Sequence, residues 1–393
     1  MFLHLDCRHY RGDRPCLHHR PCEGCPHYAP MGPRVLIIKL GALGDVVRTG
    51  CLLPALAGWP EPPHVTWVTA PAAQPLVERL TVAGRPAVHR VLPFTTETLA
   101  HLELEHFDCV LSLDKEPGPC ALAMRIEVRE RLGIGLSRYG TVYPLNEECE
   151  YYFRLGLDNE EKFFRNRKSY PRLLFEALGW DYGGERYELT PTAADEAEAD
   201  RRLRGAGLPA GAPFLAVNPG AGGVFANKAW RTEGYMELIQ RLRAERPELH
   251  FVLTGGPEDS ARLDAIAAAV GPDRMHAPGA DLPLGPFAAL IGRAAVLVSG
   301  DTLAMHLAIA QRRRVVAIFG PTCPQEIELF ALGERVVTSA DCAPCYLRQC
   351  DKTTTCQDLI STAEVQAAVA RQLEAAAAAA HAPVEQTGAR EIS

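Results

Sequence analysis

The chain has 393 residues, of which 47% are apolar and 23% charged, and its formal net charge is −7 at pH 7. A chain of this length exceeds one ordinary hydrophobic core, so we expect two domains. The negative charge argues against a nucleic-acid-binding protein, which would carry a basic surface. The beginning of the sequence does not read as a secretory signal, and no apolar run reaches the ~20 residues of a membrane helix. We therefore expect a cytoplasmic protein for which association with a membrane surface stays open.

The first part of the chain predicts a Cys-rich appendage followed by an α/β domain. Residues 1–32 are rich in Cys, His, Arg and Pro and show no helical or strand period. Residues 33–185 then alternate short apolar strands with helical stretches, beginning with the strand VLIIKL and the helix DVVRTGCLLPALAG. This alternation indicates a parallel sheet built from βαβ units.

A second series of the same kind follows a linker that ends at Pro191. It covers residues 190–340 and includes the strands FLAVNPG, HFVLTGG and AAVLVSG. Residues 341–375 contain a second Cys cluster and an amphipathic helix, and residues 376–393 are predicted to form a disordered tail. The sequence therefore predicts an α/β protein with two doubly wound domains and a cleft between them.

The first candidate site is the turn LGALGD, which follows the strand VLIIKL. Gly41 and Gly44 permit a tight turn, and Asp45 falls in the first turn of the next helix. Asp45 either complements the positive end of that helix or acts as a general base. Lys39 and Arg48 are close enough in sequence to bind an anionic acceptor.

The second candidate site is built from three junctions between a strand and the segment that follows it. Asp301 and Thr302 lie where a strand ends, before a helix that starts near Leu303 and whose backbone N–H groups suit a phosphate. His306 lies about one turn later, facing the same end or packing on the sheet. Lys228, in the loop NPGAGGVFANKAW, either binds a pyrophosphate or stays solvated. Glu258, in the loop TGGPED, is a candidate acceptor for ribose hydroxyls.

These motifs, in this order, resemble glycosyltransferase family 9, the ADP-heptose:lipopolysaccharide heptosyltransferases. The resemblance runs from about Arg34 to Thr322 and rests on the LGD turn, NPGA followed by Lys and Trp, the GG-Glu loop, and GDTxxxHLAIA followed by FGPT. It implies the GT-B fold, two Rossmann-like domains facing a central cleft, with the acceptor side in residues 33–185 and the nucleotide-sugar donor in residues 190–340. The chain departs from the family at Leu303, where Gly is usual.

The resemblance implies an inverting transfer of heptose from ADP-heptose to a lipopolysaccharide-core or related glycolipid acceptor, with peripheral contact at the inner membrane. Asp45 corresponds to the general base. The residues at the positions that bind the donor in this family are Lys228, Glu258, Asp301, Thr302 and His306. Catalysis is expected to need no metal or other cofactor, because Lys and helix N-terminal N–H groups stabilise the leaving diphosphate.

Eight of the 13 cysteines fall into two sets of four, each with a CxxC spacing. Such sets are typical of structural zinc and of some iron–sulfur clusters, and clustered thiols in a reducing compartment more often bind metal than form disulfides. Free thiols, disulfides and a redox role remain alternatives. The first set is Cys7, Cys16, Cys22 and Cys25. The second set is Cys342, Cys345, Cys350 and Cys356.

Two other functions stay open on the sequence. A nucleotide-sugar epimerase can share this fold. A non-catalytic metal-binding or redox protein could also keep the fold, and Leu303 together with the additional N-terminal Cys set keeps that alternative open.

Overall fold

The computed structural model describes residues 1–223 and 225–381. It divides into two compact units. The first unit comprises Met1–Thr192 together with Gln325–Glu328, and the second comprises the chain from Ala193 to Pro324 and from Leu329 onwards.

The first unit contains a mixed six-stranded sheet. Its strands and those of a small second sheet are β1 (Arg34–Ile38), β2 (His64–Thr69), β3 (Leu80–Val82), β4 (Arg85–Pro86), β5 (Arg90–Pro93), β6 (His106–Ser112), β7 (Glu127–Leu136), β8 (Val142–Pro144) and β9 (Glu188–Leu189). The large sheet has the order β5–β2–β1–β6–β7–β8, and every pair in it is parallel except β7–β8. Strands β4, β3 and β9 form the small antiparallel sheet.

The helices of the first unit are short. They are α1 (Leu43–Thr49), α2 (Leu52–Ala57), α3 (Gln74–Val77), α4 (Thr96–Leu102), α5 (Pro117–Arg125), α6 (Cys149–Arg154) and α7 (Tyr170–Ala177), with a π-helical turn at Glu161–Arg165. The single helix predicted after β1 is interrupted between α1 and α2, at Gly50 and Cys51. Glycine has a low helix propensity, and Pro54 in α2 lacks the N–H that would continue the hydrogen-bond ladder.

Strands β1 and β2 lie in the interior of the first unit and are almost completely buried. All six residues of β2 and four of the five in β1 are buried. Parallel strands that are covered on both faces have this pattern. Leu36 and Ile38 pack in one cluster with Phe107 and Val110 of β6 and with Leu122 of α5.

The second unit contains a fully parallel six-stranded sheet. Its strands are β10 (Phe214–Asn218), β11 (His250–Leu253), β12 (Met275–His276), β13 (Val296–Gly300), β14 (Arg314–Phe319) and β15 (Gly333–Val337), in the order β12–β11–β10–β13–β14–β15. Its helices are α8 (Ala193–Gly205), α9 (Thr232–Glu245), α10 (Ser260–Val270), α11 (Leu284–Ile291), α12 (Leu303–Ala310) and α13 (Thr362–His381). Doubly wound α/β architecture, predicted for both halves, is confirmed.

Helix α13 closes the core of the second unit. Val365, Val369 and Leu373 pack in the same cluster as Trp230 and residues of the sheet. The helix runs to His381, so the tail predicted from residue 376 is helical over its first six residues. Alanine has the highest helix propensity, and the run Ala375–Ala380 extends the helix for that reason. The rest of the predicted tail, residues 382–393, lies outside the described residues.

The N-terminal appendage contains no helix, and an isolated bridge between Cys7 and Pro30 is its only strand-like pairing. Backbone hydrogen bonds from Arg8 N to the Ala29 carbonyl (2.9 Å) and from Met31 N to the Asp6 carbonyl (2.9 Å) hold its two ends together. Of the helices within the described ranges, none combines the length and the apolar composition that crossing a bilayer takes.

The buried His64 at the start of β2 predicts a pH dependence of stability. Its side chain is 9% exposed, and burial, with the nearby His89 and Arg34, lowers its pKa to about 4. The unfolded chain binds a proton there near pH 6.5, so stability is lost as the pH falls from about 6.5 towards 4. We expect this residue alone to lower the free energy of unfolding by about 2 kcal/mol between pH 7 and pH 5.

Urea unfolding of wild type and His64→Leu at both pH values measures this effect. The variant is expected to lose less stability on acidification, while His106→Leu, which replaces an exposed histidine on β6, serves as the control. An equal loss in wild type and His64→Leu would show that His64 is not the group that titrates.

Candidate functional site

Asp45 lies in the first turn of α1, at the edge of the first unit's sheet where β1 ends. Its carboxylate accepts hydrogen bonds from Arg48, with Oδ1 3.0 Å from Nε and 2.8 Å from Nη2. The Asp45 side chain is 34% exposed and the Arg48 side chain 11%. The Thr49 hydroxyl donates to the Asp45 carbonyl (2.7 Å), which fixes the backbone of the same turn. The carboxylate is therefore oriented by its own helix and remains partly accessible.

The turn before Asp45 is anchored by a carboxylate from the neighbouring strand. Asp114 follows β6, and its carboxylate accepts hydrogen bonds from the Lys39 ammonium and from the backbone N–H of Leu40. Lys39 is only 5% exposed and Asp114 3%. Burial opposes the charge on Lys39, but the Asp114 carboxylate raises the pKa of Lys39 above its ordinary value. Lys39, predicted to bind an acceptor, is thus already bound by a buried partner.

Aromatic rings cover the cationic side chains of this region. The Arg48 guanidinium lies 3.7 Å from the centre of the Tyr170 ring, and the Tyr170 hydroxyl is 3.2 Å from that of Thr49. Lys115 donates to the carbonyls of Tyr152 (2.9 Å) and Phe153 at the end of α6. Burial lowers the pKa of Lys115 to about 8. Favourable cation–π contacts and helix-end carbonyls both stabilise these cations.

In the second unit, polar side chains meet where β10 and β13 end. Asn218 and Ser299 are neighbours in the sheet, and the Asn218 amide donates to the hydroxyls of Ser299 (3.2 Å) and Thr302 (3.3 Å). The two hydroxyls are 2.8 Å apart. Thr302 is the N-cap residue of α12, yet its side chain makes no capping hydrogen bond. The network instead ties the start of α12 to β10 and β13.

Lys228 and Asp301 form an ion pair beside this network. The Lys228 ammonium is 2.9 Å from Asp301 Oδ2, and the side chains are 23% and 15% exposed. Glu258 does not stand free for a ribose, because its carboxylate accepts a hydrogen bond from the Gly223 N–H of the loop before Lys228. His306 is 4% exposed within α12, which matches packing on the sheet, the alternative left open by the sequence.

The segment of the second Cys set and the residues after it hold the Lys228 loop in place. The buried Gln357 side chain donates to the carbonyls of Asn227 (3.1 Å) and Lys228 (3.0 Å). The Trp230 indole donates to the Ile360 carbonyl (3.1 Å), and Asn227 donates to the Leu347 carbonyl (2.9 Å). The backbone that presents Lys228 is thus fixed from the C-terminal side of the chain.

Comparison with known proteins finds heptosyltransferases. Residues 166–355 match the model of glycosyltransferase family 9 (heptosyltransferase). Lipopolysaccharide heptosyltransferase 1 of Pseudomonas aeruginosa is 26% identical over 352 residues, which are 83% of this chain and 89% of that protein. The chain is similar to the heptosyltransferases of glycosyltransferase family 9.

Two solved structures confirm the GT-B fold class of the chain. A family 9 glycosyltransferase from Veillonella parvula has a TM-score of 0.68 at 18% identity, covering 87% of this chain and 97% of that one. The E. coli ADP-heptose lipopolysaccharide heptosyltransferase II has a TM-score of 0.63 at 19% identity, covering 87% and 99%.

The structure brings the predicted residues together within each unit. Asp45 and Arg48 are in contact in the first unit, and Lys228 and Asp301 are in contact in the second, next to Thr302. Sequence reasoning missed Asp114, which directly follows a buried strand in the stretch LDKEPG. An acidic residue at the end of a strand next to β1 was the signal that could have found it. Gln357 carried no such signal.

The cysteines fall into two environments. The five outside the predicted sets are all buried: Cys51, Cys109, Cys120, Cys149 and Cys323. Burial, with the nearby Cys345, Cys350 and Cys342, raises the pKa of Cys356 to about 11. In the N-terminal appendage the rings of His18 and His27 stack at 4.0 Å. In residues 1–223 and 225–381, no three Cys, His, Asp or Glu side chains are arranged to hold one metal ion.

The buried Asn218 network predicts a stability cost for its loss. Asn218→Leu leaves the hydroxyls of Ser299 and Thr254 without an amide partner, and we expect it to lower the free energy of unfolding by about 1–3 kcal/mol. Urea unfolding measures this, with Gln240→Leu as the control at an exposed amide on α9 of the same unit. If the urea unfolding curve of Asn218→Leu has the same midpoint and slope as that of wild type, the network does not stabilise the second unit.

Proposed function

We propose that the chain transfers heptose from ADP-heptose to a lipopolysaccharide-core or related cell-envelope acceptor, with inversion at the anomeric carbon. The observation that carries this proposal is the partly exposed Asp45 carboxylate, oriented by Arg48 at the sheet edge of the first unit. The identity to a lipopolysaccharide heptosyltransferase over 89% of that protein supports the choice of donor and acceptor.

In the proposed mechanism Asp45 accepts the proton of the acceptor hydroxyl. The hydroxyl oxygen then attacks the anomeric carbon, the bond from that carbon to the diphosphate breaks, and ADP leaves. One displacement inverts the centre. Arg48 fixes the carboxylate and supplies positive charge that suits an anionic acceptor, whereas Lys39, predicted for the same role, is held by Asp114.

The donor is proposed to bind in the second unit. Lys228 and the N–H groups at the start of α12 stabilise the negative charge that develops on the leaving diphosphate, so the transfer needs no metal. Asp301 and Thr302 are proposed to contact the diphosphate and sugar. His306, which is 4% exposed, and Glu258, which accepts the Gly223 N–H, are proposed to contact the sugar and the nucleoside only after a shift from their present contacts. The Lys228–Asp301 ion pair supports this assignment, because it holds the ammonium beside the helix start.

The other two functions are not favoured. The family model and the curated relative are both heptosyltransferases, which disfavours the nucleotide-sugar epimerase and the non-catalytic protein. We propose a cytoplasmic location with peripheral contact at the inner membrane, where a lipid-linked acceptor is presented. Nucleic acid is not a proposed partner.

Two substitutions in different units test the assignment and serve as controls for each other. Asp45→Asn removes the proton acceptor, so we expect transfer to fall by about 10²–10⁴-fold with ADP affinity unchanged. Lys228→Met removes the ammonium that is proposed to bind the diphosphate, so we expect ADP to bind about tenfold more weakly. Transfer is measured with ADP-heptose and a lipopolysaccharide-core acceptor, and ADP binding by calorimetry. Wild-type transfer rates in Asp45→Asn would refute the mechanism.

We further propose that each Cys set binds structural zinc or an iron–sulfur cluster. The density of thiols and the CxxC spacing support this. The apolar side chains of the appendage, such as Phe2, Leu5 and Leu17, are exposed, so a metal would supply the stability that a hydrophobic core does not. Cys7 is the only buried apolar residue of the N-terminal appendage.

Metal content of the purified protein tests this proposal. We expect Cys22→Ser and Cys356→Ser each to lose one metal centre, and Cys323→Ser, outside both sets, to lose none. Because Gln357 follows Cys356 and holds the Lys228 loop, Cys356→Ser is also expected to weaken ADP binding, while Cys22→Ser is not. Wild-type protein purified without oxygen and free of zinc and iron would refute metal binding.

A further inference from the structure

The Asp114–Lys39 pair lies next to the residue assigned as the base, and the proposed mechanism gives it no role. Both side chains are nearly inaccessible to solvent, yet both are charged groups at the edge of the sheet where Asp45 is presented. Burying an ion pair is costly, and it rarely adds net stability over apolar residues of similar size. A role in positioning the site accounts for this arrangement.

The first part of that role is mechanical. Strands β1 and β6 pair in parallel up to Ile38 and Ser112, and the Leu113 N–H donates to the Ile38 carbonyl (3.1 Å). The Asp114 carboxylate then accepts a hydrogen bond from the backbone N–H of Leu40 (2.5 Å). Leu40 is the first residue of the turn that leads to Asp45. The carboxylate therefore extends the contact between the two strands into the turn.

The second part is electrostatic. Asp45 interacts electrostatically with Lys39, and also with Tyr152 of α6 and Tyr170 of α7. Burial raises the pKa of both tyrosines, so they are neutral near pH 7. Arg48 of α1 is the cation in direct contact with Asp45. The Lys39 ammonium is a second cation in this environment, and its charge is balanced by Asp114.

We propose that Asp114 is a positioning residue for the transfer reaction: its carboxylate anchors the turn that carries Asp45 and keeps the Lys39 ammonium on itself instead of on the Asp45 carboxylate. A base that is paired with two cations accepts a proton less readily than a base paired with one. Asp114 thereby preserves the basicity of Asp45. The inference rests on the proposed role of Asp45 as the general base.

Removing the negative charge of Asp114 and removing the positive charge of Lys39 shift the pH profile of transfer in opposite directions. Asp114→Asn retains an oxygen for the Leu40 N–H but leaves Lys39 unbalanced, so the acid limb of the pH profile of kcat/KM moves to lower pH by roughly 0.5–1 unit. Lys39→Met leaves the Asp114 carboxylate unbalanced, so that limb moves to higher pH. The double variant carries neither charge, and its limb returns close to the wild-type position.

Asp108→Asn is the matched control. Asp108 also lies on β6 and accepts a backbone N–H from β1, that of Arg34 (2.7 Å), but at the opposite end of the strand. We expect its pH profile to coincide with that of wild type. ADP binding to the second unit is measured for every variant to confirm that the protein is folded.

The experiment is the pH profile of heptosyl transfer for these four variants, together with a ¹³C-carboxyl NMR titration of Asp45 assigned by its loss in Asp45→Asn. Shifts of opposite sign that cancel in the double variant support the proposal. Coincident profiles overturn it, as do shifts of the same sign in both single variants, which a loosened fold would produce. If Asp114→Asn does not fold, the shift in Lys39→Met and its cancellation in the double variant decide the question.

The two hypotheses fail in different ways. If Asp45→Asn still transfers heptose, Asp45 is not the base and the proposed mechanism fails. The carboxyl titration still shows whether Asp114 controls the environment of Asp45, because that titration needs no turnover. If Asp45→Asn is inactive and Asp45 titrates at the same pH in wild type and in Asp114→Asn, only the inference about Asp114 is wrong.

Discussion

Parallel strand pairing is the constraint on which both candidate sites depend. Two parallel strands end at the same edge of a sheet, so the residues that follow them meet although they are far apart in sequence. Lys39 and Asp114 are separated by 75 residues and Asn218 and Ser299 by 81, yet each pair is hydrogen-bonded. In both units the polar contacts begin where the strand ladder stops.

Local charge pairing explains how a chain with a net charge of −7 can present cations at these edges. Arg48, Lys39 and Lys228 are each bound by an aspartate of the same unit. Pairing removes most of the cost of holding these cations in partly buried positions. A cation held in this way is already placed before a ligand arrives, which lowers the entropy lost on binding.

The C-terminal segment contributes to the second site through long-range contacts. Gln357 and Ile360 hold the loop that carries Lys228, and helix α13 fills the core behind Trp230. The loop contains a short 3₁₀ helix at Ala226–Lys228, and the carbonyls of Asn227 and Lys228 take their partner from elsewhere in the fold. The second Cys set is directly connected to this support, because Cys356 precedes Gln357 in the chain.

The sequence by itself determined the fold class, the family resemblance and most of the strands and long helices. Continuous apolar runs such as that of β1, and the helical period of α9 and α10, are local patterns and need no knowledge of the rest of the chain. The Gly-Asp turn with Asp45 and the start of α12 at Leu303 were predicted for the same reason.

Only the tertiary structure decided the partners of the functional groups. No local pattern indicates that Lys39 is buried against Asp114, that Glu258 binds the Gly223 N–H, or that Gln357 supports Lys228. These contacts follow from strand order and from the packing of distant segments. A single sequence records the residue types that chemistry requires, whereas their protonation, exposure and pairing depend on which neighbours the fold supplies.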